Sequence, residues 1–277
     1  MSTEETIQIE AKEDLTDEDE ALAEAPALPI AAEGRLKHLL ELGAHYGLNK
    51  SKTNPKMRPF ILATKSGVEI IDSLKTMEAL DRAASFLKER IKEGGLVLLV
   101  GTTPAAKTLT KELGEELGLP YVTERWLGGT LTNFKMINNR LNHLRKMKED
   151  KESGHLEKYT KKERLGIAKE LDKFDKFFGG LFNLSRLPAA VLILDLNAHK
   201  IAAREARRLN IPTIATVNTN ADPTLIDYPI PLNDRSVEAI ADLLTAFSAA
   251  VAEGRKLAAE AEAVNKPKEE IKEQING

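Results

Sequence analysis

Apolar residues fall into two patterns along the chain. Some form short continuous runs: LVLLV at 96–100, AVLILD at 190–195, TIATVN at 213–218 and YPIPL at 228–232. Others recur every three or four positions, as in Met77, Leu80, Ala84, Leu87 and Ile91, which stop at Gly94-Gly95 just before the first of those runs. Continuous runs predict strands buried on both faces of a parallel sheet, and the helical spacing predicts the helices that cover it. The remaining elements follow the same logic. GRLKHLLELG predicts a short amphipathic helix closed by Gly43, and PFILAT and VEIID flank Lys65-Ser66-Gly67 as a hairpin would. The segment AHYGLNKSKTNPKMRP between them reads as a loop. Further helices are expected over about Pro104 to Leu117 and over IAAREARRL, with a short strand at Tyr121-Val122. Strands and helices in alternation make the fold class α/β.

One stretch breaks the alternation. Between Leu131 and Phe178 no strand is expected, and Leu131, Phe134, Ile137, Leu141, Leu144 and Met147 form a narrow helical seam. Leu165, Ala168, Leu171, Phe174 and Phe178 make a second stripe, and the polar KEDKESGHLEK between them supplies a turn. Two helices with one narrow apolar stripe each satisfy one another as an antiparallel hairpin, so an arm over 131–178 projecting from the body is expected. The body then comprises 34–130 and 179–253, and the polar segment 254–277 is expected as a tail, frayed or helical.

With 277 residues and 42% apolar composition, the chain can bury a large core. It contains no cysteine, which removes disulfides, cysteine-ligated zinc and thiol chemistry. No apolar run approaches the roughly 18 residues of a membrane span and MSTEETIQIE lacks the pattern of a secretory leader, so a cytoplasmic location is expected. The net charge of −3 conceals a division. Residues 1–33 carry eleven acids and one lysine, leaving the rest at net +7. Such an acidic, small-residue segment is expected to stay solvated and without a fold of its own, before a basic body.

The stretch VLLVGTTPAAKT, 97–108, nearly spells a phosphate-binding loop, and VLILD resembles a magnesium-holding strand. Ala106 stands where the second glycine belongs and Pro104 removes an amide, so the match is partial. The plainer reading has Thr102 or Thr103 capping a helix that begins with Pro104, Lys107 in solvent, and Asp195 capping the next helix. A nucleotide-dependent enzyme using Lys107, Thr108 and Asp195 is the alternative. His38, His45, His143, His155 and His199 show no metal-ligand spacing and are expected on the surface or in loops. Neither a cofactor nor a metal nor a catalytic pair is assigned.

The basic residues are grouped. Lys50, Lys52, Lys56 and Arg58 share a loop with no acid between Asn49 and Phe60; the arm from Lys135 to Lys176 holds 13 Lys and Arg against eight acids; Lys200, Arg204, Arg207 and Arg208 lie on one helix. Three such groups point to a polyanion partner, with RNA the natural candidate. The distinctive stretch RWLGGTLTNF, 125–134, opens the arm: Gly128 and Gly129 permit a tight backbone, Thr130 or Thr132 can cap the helix, and Trp126 either stacks on a base or anchors the arm's root in the body. The RNA-contact candidates are Lys50, Lys52, Lys56, Arg58, Arg125, Trp126, Lys135, Arg140, Arg145 and Lys146, chiefly to phosphate and sugar. A coiled-coil adaptor binding only proteins is the remaining alternative.

Four stretches in order, NPKMRPFI with GVEIIDSLKT, LVLLVGT, ERWLGGTLTNF, and IPTIATVNTNADPTLIDYPIPLNDRSVEAI, resemble the bacterial small-subunit (30S) ribosomal protein two family, and the likeness runs from about Gly34 to Leu244. It implies a flavodoxin-like doubly wound parallel sheet with an inserted helical hairpin and no enzymatic activity. It also implies a structural place in the small subunit where head meets body, binding of small-subunit (16S) rRNA, and recruitment of ribosomal protein one among neighbouring ribosomal proteins. Neither a membrane nor a small-molecule substrate is implied. Asn54, Pro55, Lys56, Met57 and Pro59 match the family's early loop; Arg125, Trp126, Gly128, Gly129, Thr130 and Asn133 match the opening of the arm; Asn220, Pro223, Pro229, Pro231, Asn233 and Asp234 match the late segment. Four positions depart. A family histidine and tryptophan are here Leu48 and Thr53, a common basic residue is Thr103, and Asn218 replaces an aspartate. The acidic extension before Gly34 is not a general family feature.

Overall fold

A computed structural model describes residues 30–153 and 160–276. The acidic segment expected to lack a fold therefore lies outside the described residues up to Pro29; its end is already helical, because α1 spans Ile30–Glu41 rather than starting at Gly34. In chain order there follow β1 (Tyr46–Asn49), β2 (Ile61–Lys65), β3 (Val68–Ile71), α2 (Ser73–Lys92), β4 (Val97–Val100), α3 (Pro104–Leu117) and β5 (Tyr121–Val122). The arm consists of α4 (Phe134–Glu152) and α5 (Lys161–Phe178). Then come β6 (Ala190–Ile193), α6 (Lys200–Arg208), β7 (Thr213–Val217), β8 (Tyr228–Pro231) and α7 (Val237–Asn276).

The main sheet runs β5-β4-β6-β7-β8 with every pair parallel. Counted along the chain from β4, that order is the flavodoxin-like 2-1-3-4-5. Its strands alternate faces although β4 and β6 are wholly apolar and β7 departs only at Thr213 and Thr216. Val97, Leu99, Ala190, Leu192 and Ile214 pack with α2, α3 and α7, whereas Leu98, Val100, Val191, Ile193 and Ala215 pack with α6 and the root of the arm. Burial on both faces is why the runs are so largely apolar, and the two threonines of β7 are buried with their hydroxyls hydrogen-bonded to Asp195 N and Asp227. Pro229 and Pro231 lie on β8, the edge strand, where Leu232 N still donates to Val217 O at 3.1 Å. A strand with two missing donors is tolerated there because its outer edge needs none, and it offers no ladder to another sheet.

The expected hairpin is present: Ser66 and Gly67 both adopt positive φ, 51° and 79°, the two-residue turn whose twist suits paired strands. The preceding loop is more ordered than its sequence suggests. Residues 46–49 pair with β3, so β1, β3 and β2 form a separate antiparallel sheet of three strands. Tyr46-Gly47-Leu48-Asn49 has no clean alternation, and Gly47 leaves too little side chain to give one. A Cβ on Gly47 would sit 2.8 Å from Glu69 O and 2.5 Å from Thr219 Cγ2, so tertiary packing selects both the residue and the strand.

α3 keeps the expected bounds, with Pro104 in its first turn, and Gly118 in the left-handed region closes it. Thr103 occupies the cap position, yet its hydroxyl makes no capping bond, and Thr102 Oγ1 instead meets His199 Nε2 at 3.0 Å. In the arm, α4 continues to Glu152, taking up half of the expected turn; residues 154–159 lie outside the description. Thr160 and Glu163 form a reciprocal capping box that starts α5. Leu131, Ile137, Leu141, Leu144, Leu171 and Phe178 are buried, but Leu165 is 58% exposed, so the seam holds at the root and opens toward the tip. α7 runs across the expected boundary at 253, making the tail helical. A Cβ on Gly254 would meet Lys88 O at 2.7 Å, so α7 still rests on α2 there, and the helix continues to Asn276.

Candidate nucleic-acid interface

A nucleotide would enter at the carboxyl ends of the strands, where ligands bind in sheets of this order. A cleft of about 710 Å³ lies there, lined by Thr103, Pro104, Asp195, Asn220, Asp234 and Arg235 among others. Its chemistry opposes phosphate. Asp195 and Asp234 place two carboxyls on it, and burial followed by the nearby Asp195 charge pushes Asp234 up to about 6 against a hydrogen bond from Asn218 that pulls it down. Lys107, the residue a phosphate would need, pairs with Glu124 at 2.7 Å. Asp195 Oδ1 accepts from Ala198 N and Asp195 O meets His199 Nδ1, so this acid shapes the turn before α6. His199 lies in the turn before α6, a loop position as expected, but it is buried at 2% exposure, and burial lowers its pKa.

The four departures from the family pattern have local partners. Leu48 and Thr103 line the cleft. Asn218 is buried, with Nδ2 donating to Asp234 Oδ1 at 2.7 Å, and Thr53 Oγ1 donates to Glu69 at 3.4 Å.

The basic groups, scattered in sequence, adjoin one another through α6. On one side of α6, Arg207 Nη1 donates to Thr224 O at 3.4 Å, and Lys56 Nζ reaches Asp222 Oδ2 at 2.7 Å and Thr224 Oγ1 at 3.1 Å. Segment 222–224 therefore joins α6 to the early loop, where Lys50, Lys52, Lys56 and Arg58 are all exposed. The Lys56 ammonium lowers the Asp222 pKa and is itself partly neutralised by that contact. On the other side, α6 meets the root of the arm through a single acid, Glu205.

Glu205 is 8% exposed and collects five donors. Trp126 Nε1 at 3.1 Å and Gly129 N at 2.8 Å donate to Oε1; Leu131 N at 3.1 Å, Thr132 N at 3.2 Å and Thr132 Oγ1 at 3.1 Å donate to Oε2. Gly129, at φ 90°, lets the backbone turn its amides inward, a conformation costly for any residue with a Cβ. These amides belong to the turn leading into α4, so a carboxylate on a different helix fixes the root of the arm. Burial pushes Glu205 up, and the converging bonds from Gly129, Trp126, Thr132 and Leu131 outweigh it, leaving the carboxyl below its usual range. Sequence reasoning overlooked this residue. The available signal was its place in IAAREARRL, an acid beside the small residues Ala202 and Ala206, which mark the buried side of the helix.

The remaining candidates divide. Arg125, Lys135, Arg140 and Lys146 are exposed. Trp126 is buried at 8% with its N–H used, so its geometry is that of an anchor, and its indole face is not offered to a base. Arg145 is half-buried and donates to Phe182 O and Asn142 Oδ1, both at 2.7 Å, holding the arm to segment 181–184. Lys148 bridges the two arm helices by pairing with Asp175. Exposed on α6 are Lys200, Arg204, Arg207 and Arg208, a group absent from the first candidate set.

No helix among the described residues is long and apolar enough to cross a membrane, and no group of three or more potential metal ligands occurs among them. Comparison with known proteins gives a consistent result. Small ribosomal subunit protein uS2 of Coprothermobacter proteolyticus is 42% identical over 221 residues, covering 80% of this chain and 82% of that protein. The same-named proteins of Nocardia farcinica and Mycobacterium leprae are 42% and 41% identical, covering 79% and 81% of this chain and 77% and 81% of theirs. The family described as Ribosomal protein S2 matches residues 39–254, which include the doubly wound sheet, the arm and the glutamate-held root between them, and the chain belongs to that family.

Proposed function

We propose that this protein is a structural constituent of the small ribosomal subunit, catalysing no reaction, that binds small-subunit rRNA through one basic surface centred on α6. The observation that carries the reading is the adjacency of three groups far apart in sequence: the early loop joined to α6 through Asp222 and Thr224, and the arm root joined to α6 through Glu205. Lysine and arginine on these elements suit phosphate contacts, and an α/β body holding them at fixed spacing suits recognition of folded RNA shape over base sequence. Lys50, Lys52, Arg58, Arg125, Lys135, Arg140 and Lys146, with Lys200, Arg204 and Arg208, are the proposed contacts. Trp126 and Arg145 serve the scaffold.

The family likeness supports finer expectations: a position where head meets body, a part in assembly and translation, and recruitment of ribosomal protein one. The working location is then the cytoplasmic ribosome. Sedimentation of lysate at graded salt tests the central claim. The protein should travel with small subunits and be released steeply as salt rises, because each phosphate contact adds about one unit to the log–log salt slope. Recovery only in the soluble fractions at low salt would overturn it, and saturable ATP or GTP binding abolished by Lys107→Ala would restore the enzyme reading.

A further inference from the structure

We propose that Glu205 is the positioning residue that holds the arm in one direction relative to the basic face of α6. The inference rests on the reading of that face as an RNA surface, but its structural half can be tested alone. The five donors on its carboxylate all come from 126–132, and every other residue of α6 that carries a charge points outward: Lys200, Arg204, Arg207 and Arg208 are exposed. One helix thus presents cations on one side and grips the arm with its single anion on the other.

The geometry explains why a carboxylate is needed. Both oxygens accept, Oε1 from Trp126 and Gly129 and Oε2 from Leu131 and Thr132, and no donor could be accommodated at either position without facing an N–H. Charge-assisted bonds to amides are stronger than neutral ones, and here they act on the first turn before α4, where a small rotation is amplified along 19 residues of helix. Packing alone would leave that direction softer. The seam is closed at Leu141, Leu144 and Leu171 but open at Leu165, so the outer arm has little apolar contact to steer it. Arg145, bonded to Phe182 O, gives a second attachment farther along α4, and the two together define a line.

Because the chain has no cysteine, spin labels can be placed uniquely at Lys151→Cys on the arm and Glu112→Cys on α3, both exposed. Double electron–electron resonance on the full chain should give one narrow distance distribution. Glu205→Gln, which sets an NH₂ group against backbone donors, should broaden or shift it while far-UV helix content is retained. Should that variant prove insoluble, Glu205→Asp keeps the charge but is one methylene too short to reach both ends of the loop, and should broaden it likewise. A distribution as narrow as the parent's in the soluble variant overturns the proposal. The same protein is titrated with folded small-subunit rRNA and with polyuridylate. A loss of about tenfold on the folded RNA and less than about twofold on the polymer is expected if arm direction serves shape recognition. A broadened distribution with unchanged rRNA affinity would uphold Glu205 as the arm's positioner and count against the RNA reading instead.

Discussion

Replacing Asp234 by asparagine should stabilise the protein above pH 6, although it removes a buried charged residue from a hydrogen-bonded position. Asp234 follows β8, accepts from Asn218 Nδ2 and lies beside Asp195, with the Arg235 charge compensating in part. Burial first, then the Asp195 charge, raises its carboxyl from 3.8 to about 6. The folded chain therefore holds this proton up to about pH 6 and the unfolded chain only up to about 3.8. Folding takes up a proton in that window, so the favourable contribution is fully present below about pH 4 and is lost as pH rises through 6. A displacement of about two pH units corresponds to roughly 3 kcal/mol between the two limits. The amide introduced by Asp234→Asn would keep an acceptor for Asn218 and offer Asp195 a donor in place of a like charge. Urea unfolding at steps from pH 4 to pH 8 should show Asp234→Asn and parent close together at the acid end and the variant ahead by up to about 3 kcal/mol at pH 8. Asp195→Asn should recover part of the same gain, and the double variant less than the sum, because the two carboxyls share one repulsion. A stability difference independent of pH, or a variant weaker than the parent at pH 8, would refute the reasoning.

Five other outcomes are expected. Trp126 is the chain's sole tryptophan, so intrinsic emission reports its site alone: titration with rRNA should leave the spectrum nearly unchanged, and strong quenching would put the indole against a base. Trp126→Ala should cost about 3–5 kcal/mol by chemical denaturation, the usual loss for a buried large aromatic side chain. Charge reversal at Lys135, Arg140 and Lys146 should reduce the rRNA salt slope by about one unit per lost contact at unchanged melting temperature. By contrast, Arg145→Glu should destabilise the fold by about 1–3 kcal/mol, since Phe182 O loses its donor and a new acid enters a half-buried site. Finally, a Cβ on Gly180 would run into the Tyr121 backbone carbonyl, so Gly180→Ala should lower stability by about 1–3 kcal/mol in calorimetry, and an unchanged transition would show that segment 179–181 can shift freely.

Much of this architecture was legible from neighbouring residues. Largely apolar runs marked β4, β6 and β7, because strands covered on both faces favour apolar residues whatever their partners are. Pro104 and Gly118 bounded α3, and Ser66-Gly67 marked the hairpin, because such ends are decided within four residues. The charge of each basic group was equally plain. β1 was not legible, since Gly47 is chosen by Thr219 and Glu69 O and by nothing adjacent to it. Nor was the burial of Trp126 and Arg145, two members of the first candidate set whose polar atoms turn out to serve Glu205 and Phe182. Sequence alone thus determined most of the elements, the arm and the sign of the surfaces, all of which depend on spacing within a turn or two. Only the tertiary structure decided which basic groups adjoin and what holds them. Lys56 meets its partners 166 and 168 residues away, and Glu205 meets its own at 73 to 79 residues. Contacts at that separation arise where sheet order brings loop ends together, and no local period records them.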